Sequence, residues 1–163
     1  MRINTRYRTA PAVWTICLIV LLNPCLPRVY GGTIKPITAE ELDRMLTRKP
    51  SRSMVVFMAA WCKPCREEIP TVEKLHRQYH QSGISVFGLS VDPGGPQALQ
   101  AVLDRNGATF PVYWAGNAVM KTYGIYGIPI TFLIKNGEII ARIPGQRTET
   151  YLKKKIDQLL IEE

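Results

Sequence analysis

The chain has 163 residues, of which 46% are hydrophobic and 21% charged, and its formal net charge is +8. This length supplies one globular domain with its own core and is short for two. The first 31 residues hold four arginines and no acid, which leaves 17 basic and 13 acidic residues, a net charge of +4, on the rest. Such a mildly basic surface argues against nucleic-acid binding.

The N-terminal extension has the layout of an export signal. Arginines precede an apolar stretch over residues 10–22, and helix breakers follow at residues 23–27. This stretch is shorter than the roughly 20 residues that cross a bilayer, which favours a cleaved signal peptide over a permanent membrane helix. A short uncleaved anchor is the alternative. We therefore divide the chain into an export signal peptide or membrane anchor over residues 1–31 and a domain over residues 32–163.

The charge of this extension also predicts where the domain resides. Basic residues beside a membrane segment stay on its cytoplasmic side. Arg2, Arg6 and Arg8 therefore place the domain in the periplasm or another extracytoplasmic space, anchored to the inner membrane if the segment is uncleaved. We expect membrane contact only through this segment.

The four cysteines fall into two groups. Cys17 and Cys25 lie in the export segment, and only Cys62 and Cys65 belong to the domain. Lipidation of Cys25 is disfavoured by the Asn-Pro sequence before it. Since the domain has no other cysteine, the two cysteines must form a disulfide with each other or react with a partner protein.

The domain begins with a predicted helix over residues 39–48, because Thr38 and Glu41 have the spacing of a capping box. The apolar run from Met54 to Met58 is too short for a helix and predicts a strand buried on both faces. A long helix follows from Pro64 to about residue 81, with a kink at Pro70.

The second half of the domain continues the alternation of strands and helices. Asn136-Gly137 is a strong hairpin signal between the last two strands. Parallel strands linked by helices, ending in an antiparallel hairpin, describe an α/β sheet covered on both faces. The predicted strands are 84–91, 110–114, 130–134 and 139–143, and the predicted helices are 97–106, 117–123 and 148–161.

Cys62 and Cys65 frame the first turn of the long helix. The free N–H groups and the positive end of the helix dipole stabilise a thiolate there, so Cys62 is the predicted nucleophile. Cys65 is the predicted resolving thiol, which attacks the mixed disulfide. Pro64 stiffens the turn between them, and the positive charge of Lys63 favours the Cys62 thiolate.

A metal site is the alternative use of a CxxC pair. Structural zinc takes four ligands, and no second CxxC or Cys/His cluster follows. His76 and His80 are four residues apart, but two solvated polar residues are more usual on such a helix. We therefore expect no metal and no cofactor besides the redox-active Cys62–Cys65 disulfide.

Residues 55–66, which include Trp61 and the cysteine pair, resemble the thioredoxin superfamily, as do Pro70 and residues 123–134. The resemblance extends over residues 35–162. Within the superfamily the chain is most similar to the TlpA/ResA group, because the middle is longer by about one helix and one strand. It implies a thioredoxin-like fold, with a central mixed sheet flanked by helices on both faces and a TlpA/ResA-type central insert.

The resemblance also implies roles for residues outside the pair. Pro129 is expected to be cis and to pack beside the cysteines, where the backbone of Ile128 pairs with an extended substrate segment. Trp61 is expected on the surface that partners touch.

The group that accepts the proton of Cys65 is left open. Thioredoxin has a buried Asp for this step where the present chain has Val56. Asp92 lies near a functional acid of ResA-like proteins and is a candidate acceptor, although a turn residue is the simpler interpretation. Glu67 and Glu68, one turn after Cys65, are interpreted as helix-surface residues.

The resemblance to the TlpA/ResA group implies an exported thiol-disulfide reductase that acts on protein thiols and disulfides, with apocytochrome cysteines before haem attachment as one substrate class. A membrane or periplasmic donor supplies its electrons. One alternative is a thiol oxidase that donates its disulfide, and another is a non-enzymatic metal carrier or docking module. A peroxidase is disfavoured, because a peroxiredoxin places its reactive cysteine in a different loop.

Overall fold

The computed structural model describes residues 32–49 and 51–161, so the predicted export signal over residues 1–31 lies outside the described residues. No helix in the described part is long and apolar enough to cross a membrane. The strands are β1 (Lys35–Pro36), β2 (Arg52–Met58), β3 (Ile84–Ser90), β4 (Val112–Trp114), β5 (Ile130–Lys135) and β6 (Glu138–Pro144). The helices are α1 (Ala39–Thr47), α2 (Lys63–Tyr79), α3 (Gln97–Asn106), α4 (Ala118–Thr122) and α5 (Glu149–Ile161).

The strands form one mixed sheet in the order β1-β4-β3-β2-β5-β6. The pairs β1–β4, β4–β3 and β3–β2 are parallel, whereas β5 is antiparallel to both β2 and β6. Helices flank this sheet, and α2 contacts β3, α3 and α5. The predicted α/β fold is confirmed, and α3 and β4 are the additional helix and strand in the middle of the chain.

Strand β2 is the centre of the sheet, between β3 and β5. All residues from Met54 to Met58 are at most 1% exposed. The ring of Phe57 packs on that of Phe132 in β5, with 4.9 Å between the centroids. Because both faces of the strand are covered, its sequence is continuously apolar instead of alternating.

Local signals set several boundaries of these elements. The Thr38 hydroxyl accepts a hydrogen bond from the N–H of Glu41 at 3.1 Å, and the Glu41 carboxylate accepts one from the N–H of Thr38 at 2.9 Å. The predicted capping box is therefore confirmed. At the hairpin between β5 and β6, Asn136 and Gly137 have φ values of 50° and 90°, as the predicted two-residue turn requires.

Strand β1 was not predicted. It has two residues, Lys35 and Pro36, which pair with Tyr113 and Trp114 of β4. Two residues are too few to show an alternating pattern, and proline is usual only at the edge of a sheet, where this strand lies.

Pro70 lies inside α2 at an exposed position.

The register of the sheet brings the ends of three strands together. Met58, at the end of β2, pairs with Ser90 at the end of β3. Since β5 is antiparallel to β2, its first residue, Ile130, pairs with Phe57. The segments that follow β2 and β3 and precede β5 therefore meet at one edge, where the cysteine pair lies.

Candidate active site

The cysteine pair occupies the N-terminus of α2. Cys62 is the N-cap residue, and its Sγ accepts a hydrogen bond from the N–H of Cys65 at 3.2 Å. The two residues form a disulfide. A sulfur at an N-cap lies at the positive end of the helix dipole, so a thiolate on Cys62 is stabilised there by both the dipole and the Cys65 amide.

The two sulfurs differ in access. Both cysteines are buried, with Cys62 4% and Cys65 1% exposed, and Cys62 is the one at the N-cap, where α2 begins. Lys63 projects into solvent, and its Nζ is 3.8 Å from the Glu67 carboxylate, which is also exposed. Such a pair contributes little to stability.

The loop before β5 forms the other wall of the site. The Ile128–Pro129 peptide bond is cis, Pro129 is buried and Ile128 is half-buried. The Ile128 carbonyl oxygen is 3.7 Å from Cys62 Sγ. A disulfide sulfur carries no hydrogen, so this is a packing contact in the oxidised protein.

A groove of about 320 Å³ runs along this loop and is open to solvent. Tyr126, at its rim, is completely exposed, and Trp61, directly before the nucleophile, is 63% exposed. Large aromatic side chains left in water are typical of surfaces that bind other proteins. The groove is lined by Gly124, Tyr126, Gly127, Ile128, Pro129, Ile130, Pro144 and Gly145.

Asp92 lies just beyond the end of β3 and is 2% exposed. Its carboxylate accepts hydrogen bonds from the N–H of Ala60, at 3.1 Å to each oxygen, and from the hydroxyl of Ser90 at 3.0 Å. Among the described residues, these are its hydrogen-bond partners, and neither cysteine is one of them. The structure therefore places Asp92 beside the loop that carries Cys62.

Glu68 is the residue that the sequence interpretation placed wrongly. It is 1% exposed, not on the helix surface. One carboxylate oxygen accepts a hydrogen bond from the N–H of Arg147 at 2.8 Å, while the other is buried with no partner among the described residues. Burial raises the pKa of Glu68, and the Arg147 N–H and charge oppose that rise in part.

A sequence signal for this burial did exist. Glu68 is three residues after Cys65 and four before Val72, so it falls on the buried stripe of α2 with Ile69 and Leu75. Residues three apart on a helix share a face, so Glu68 lies one turn after Cys65 on this stripe. Val56, at the position where the resemblance places the thioredoxin Asp, is completely buried.

The two histidines lie at the far end of α2 from the cysteines. The rings of His76 and His80 are 6.4 Å apart between centroids, and Nδ1 of His80 contacts the Arg77 carbonyl oxygen at 2.8 Å. Within residues 32–49 and 51–161, no three His, Cys, Asp or Glu side chains cluster as metal ligands.

Comparisons with known proteins agree with this architecture. The thiol-disulfide oxidoreductase ResA of Bacillus thuringiensis subsp. konkukian is 36% identical over 104 residues, which are 60% of this chain and 60% of that protein. The thiol:disulfide interchange protein HelX of Rhodobacter capsulatus is 37% identical over 132 residues, covering 79% of this chain and 69% of HelX. The chain thus spans about three fifths of the length of the ResA proteins that it matches.

Solved structures of other proteins are also similar to this chain. The crystal structure of StoA from Bacillus subtilis is 25% identical, with a TM-score of 0.59, over 66% of this chain and 83% of StoA. A putative thiol:disulfide interchange protein DsbE from Chlorobium tepidum is 27% identical, with a TM-score of 0.63, over 68% of this chain and 81% of that one.

A family model decides the assignment, because it covers more than half of the chain. The model described as the AhpC/TSA family matches residues 31–143, a range that includes β1 to β5, the cysteine pair and the cis-proline loop. The chain therefore belongs to the AhpC/TSA family of the thioredoxin superfamily, in which its relatives ResA and HelX are named for thiol-disulfide exchange.

Proposed function

We propose that the protein is an exported thiol-disulfide reductase that acts on other proteins through Cys62 and Cys65. The observation that carries this proposal is the Cys62–Cys65 disulfide at the N-terminus of α2. The open groove beside the Ile128 carbonyl supports a protein substrate, since an extended segment in it can pair with the backbone of the loop.

In the proposed reaction, the Cys62 thiolate attacks one sulfur of a substrate disulfide. A Cys62–substrate bond forms, and the other substrate sulfur leaves as a thiolate that takes up a proton. Cys65 then loses its proton and attacks the Cys62 sulfur, which releases the second substrate thiolate and forms the Cys62–Cys65 bond. The substrate gains two electrons and the cysteine pair loses two, so a separate donor must reduce the pair again.

The buried carboxylate of Glu68 is the acceptor that we propose for the Cys65 proton. It lies one turn after Cys65 on the same stripe of α2, and one of its oxygens has no hydrogen-bond partner in the part of the chain that the structure describes. Burial raises its pKa, which brings the carboxyl group closer to the pKa that a base needs near neutral pH. Asp92 is the less suitable acceptor because both its oxygens accept hydrogen bonds.

Export and substrate class belong to the same proposal. The arginines and apolar stretch before residue 23 support export to the periplasm, with the segment cleaved or retained as an anchor in the inner membrane. The likeness to ResA and HelX supports protein substrates, with apocytochrome cysteines before haem attachment as the proposed class. A fusion of the full chain to alkaline phosphatase tests export: an active fusion supports it, and an inactive fusion contradicts it.

Measurement of the reduction potential of the Cys62/Cys65 couple separates reductase from oxidase. The full chain is equilibrated in a series of dithiothreitol redox buffers, and free thiols are trapped. A potential near about −270 mV, the thioredoxin value, supports the reductase, and one near about −120 mV, the DsbA value, supports a thiol oxidase instead.

Cysteine variants test whether the chain is an enzyme at all. Cys62→Ser should abolish reduction of a peptide disulfide, and Cys65→Ser should accumulate a mixed disulfide with the peptide, because the resolving thiol is absent. If the wild type and Cys62→Ser reduced the peptide disulfide at equal rates, the enzyme hypothesis would be excluded. A docking module and a metal carrier would remain as the alternatives. Metal analysis after anaerobic purification then distinguishes those two.

A further inference from the structure

The peptide groups around Ala60, two residues before the nucleophile, are held from two sides. The Ala60 N–H donates to both oxygens of Asp92, at 3.1 Å each. The Ala60 carbonyl oxygen accepts a hydrogen bond from Nη1 of Arg66 at 2.7 Å. One partner comes from the segment after β3 and the other from α2, so two different elements fix the same residue of the loop.

Asp92 is itself held rigidly. The Ser90 hydroxyl donates to the Asp92 carboxylate at 3.0 Å, and the Asp92 N–H donates to the same hydroxyl oxygen at 3.4 Å. The Asp92 carbonyl oxygen accepts a hydrogen bond from the indole N–H of Trp114 at 2.8 Å. The neighbouring Val91 N–H donates to the carbonyl of Met58, at the end of β2, at 3.0 Å. Contacts with residues of β2, β3 and β4 thus fix the carboxylate that accepts the hydrogen bond from the Ala60 N–H.

The chain between this fixed point and the nucleophile is short. Only Trp61 separates Ala60 from Cys62, and its side chain is 63% exposed, so it provides little anchoring. The Cys62 N–H donates to the Ala59 carbonyl at 3.2 Å, and the Cys62 carbonyl accepts from the Arg66 N–H at 3.1 Å. The position of Cys62 at the helix N-terminus therefore depends on where Ala60 is held.

We propose that Asp92 is a positioning residue for disulfide exchange, which acts by holding the Ala60 amide and not by accepting a proton. This inference rests on the proposed function and deepens it. The hydrogen bonds at Ala60 involve no sulfur, so they persist when the Cys62–Cys65 bond is broken. They keep Cys62 Sγ next to the Cys65 N–H, which is 3.2 Å away, and this contact stabilises the thiolate that attacks the substrate.

The positioning role and a charge or proton role of Asp92 predict opposite effects on Cys62. If the Ala60 amide is released, Cys62 loses its alignment with the helix N-terminus and the pKa of its thiol rises. If Asp92 acts only as a nearby negative charge, its removal lowers the pKa of Cys62, because a like charge disfavours the thiolate. The direction of the change therefore separates the two roles.

The test uses Asp92→Asn and Asp92→Ala in the full chain, with Asp104→Ala as the matched control. Asp104 is an exposed acid on α3 that contacts Gln100. Asparagine retains an oxygen for the Ala60 N–H, and the Ser90 hydroxyl can rotate to accept from its amide. The measurements are the pKa of Cys62 in the reduced protein, from thiolate absorbance at 240 nm, and the rate of attack on a neutral peptide disulfide at pH 7.

We expect Asp92→Ala to raise the pKa of Cys62 and to slow the attack about fivefold or more. Asp92→Asn and Asp104→Ala should stay within about twofold of the wild type. If Asp92→Asn slows the attack as strongly as Asp92→Ala, or if Asp92→Ala lowers the pKa of Cys62, the positioning role is wrong.

A second, milder variant covers the case in which Asp92→Ala does not fold. Ser90→Ala changes no charge and removes the hydroxyl that orients the Asp92 carboxylate, so it should shift the pKa and rate in the same direction by a smaller factor. An unchanged Ser90→Ala protein with an impaired Asp92→Asn protein overturns the proposal. The pKa of Cys62 is measured without substrate, so a wild-type chain that fails to reduce the peptide contradicts the proposed function and leaves this test intact.

Discussion

Glu73 of α2 accepts hydrogen bonds from both the N–H and the hydroxyl of Thr109, at 2.6 and 2.7 Å. It also accepts one from the N–H of Phe110 at 3.0 Å and pairs with Arg77 one turn along the helix. These contacts join the active-site helix to the segment between α3 and β4. Burial alone raises the pKa of Glu73, but the hydrogen bonds from Thr109, Arg77 and Phe110 outweigh it, so its pKa lies below the ordinary value.

Glu73→Gln should therefore destabilise the protein at neutral pH. The amide cannot accept as many hydrogen bonds, and the loss should be about 1–3 kcal/mol of unfolding free energy. Because the pKa is lowered in the folded state, this contribution is present above pH about 4.5, the ordinary value, and is lost as the pH falls through the folded pKa.

Urea unfolding of the wild type and Glu73→Gln at several pH values checks this prediction. Glu67→Gln is the matched control, since Glu67 is exposed on the same helix. The difference between wild type and Glu73→Gln should shrink on acidification below pH about 4.5. A difference that is constant over this range would show that the carboxylate charge is not involved.

Glu68 should show the opposite pH dependence. Burial raises its pKa in the folded state, so its favourable contribution is present below the unfolded pKa and is lost as the pH rises through the folded pKa. The unfolding free energy of Glu68→Gln relative to the wild type should therefore increase from pH about 4.5 towards neutral pH. Urea unfolding at matched pH values measures this, and a relative decrease contradicts the assignment of a buried, costly carboxylate.

The same variant tests the proton transfer. If Glu68 accepts the proton of Cys65, Glu68→Gln should slow the decay of the mixed disulfide severalfold and leave the initial attack by Cys62 nearly unchanged. Rapid acid quenching followed by mass spectrometry separates these two steps. Glu67→Gln should change neither rate, and a Glu68→Gln protein that resolves the mixed disulfide at the wild-type rate requires a different acceptor.

The hairpin turn gives a prediction about stability alone. Gly137 has φ of 90°, and a Cβ there would lie 3.2 Å from Cα and Cγ2 of Thr47 in α1. Gly83 has a similar φ of 77° but open space around it. Both Gly→Ala variants incur backbone strain, and Gly137→Ala adds a clash with α1 of about 1 kcal/mol or more. Thermal unfolding compares the stability of the two variants. Equal losses of stability would show that Thr47 moves away from the new Cβ at no cost.

The sequence predicted most of the fold because its strongest signals are local. The Thr38 capping box, the Asn136-Gly137 turn and the apolar run of β2 each depend on neighbouring residues, and each was found where predicted. The cysteine pair was equally visible, because its chemistry depends on a spacing of three residues and a helix start.

The contacts that complete the site depend on residues far apart in the chain, and the sequence did not reveal them. The hydrogen bond from Ala60 to Asp92 spans 32 residues, and that from Arg147 to Glu68 spans 79. An acid in a helix is usually solvated, so the burial of Glu68 required knowledge of which loop covers it. Strand β1 was missed for the same reason, since its pairing with β4 exists only in the folded sheet.

The exposed aromatic residues near the active site, Trp61 directly before Cys62 and Tyr126 at the groove, should govern substrate binding without affecting the redox chemistry. Trp61 and Tyr126 are 63% and 100% exposed, so their rings contact little in the free protein and remain available to a partner. The minority of interface residues whose truncation costs about 2 kcal/mol or more is enriched in Trp and Tyr. Trp61→Ala and Tyr126→Ala should each raise KM for a protein disulfide about fivefold or more.

The reduction potential and the rate with a small, uncharged disulfide should stay at wild-type values for Tyr126→Ala, because Tyr126 makes no contact with either sulfur in the described structure. Tyr151→Ala is the matched control, since Tyr151 is a 41% exposed aromatic on α5 and does not line the groove. If the KM values of Tyr126→Ala and Tyr151→Ala are the same, the groove is not where protein substrates bind, and the partner surface must lie on the Trp61 side of Cys62.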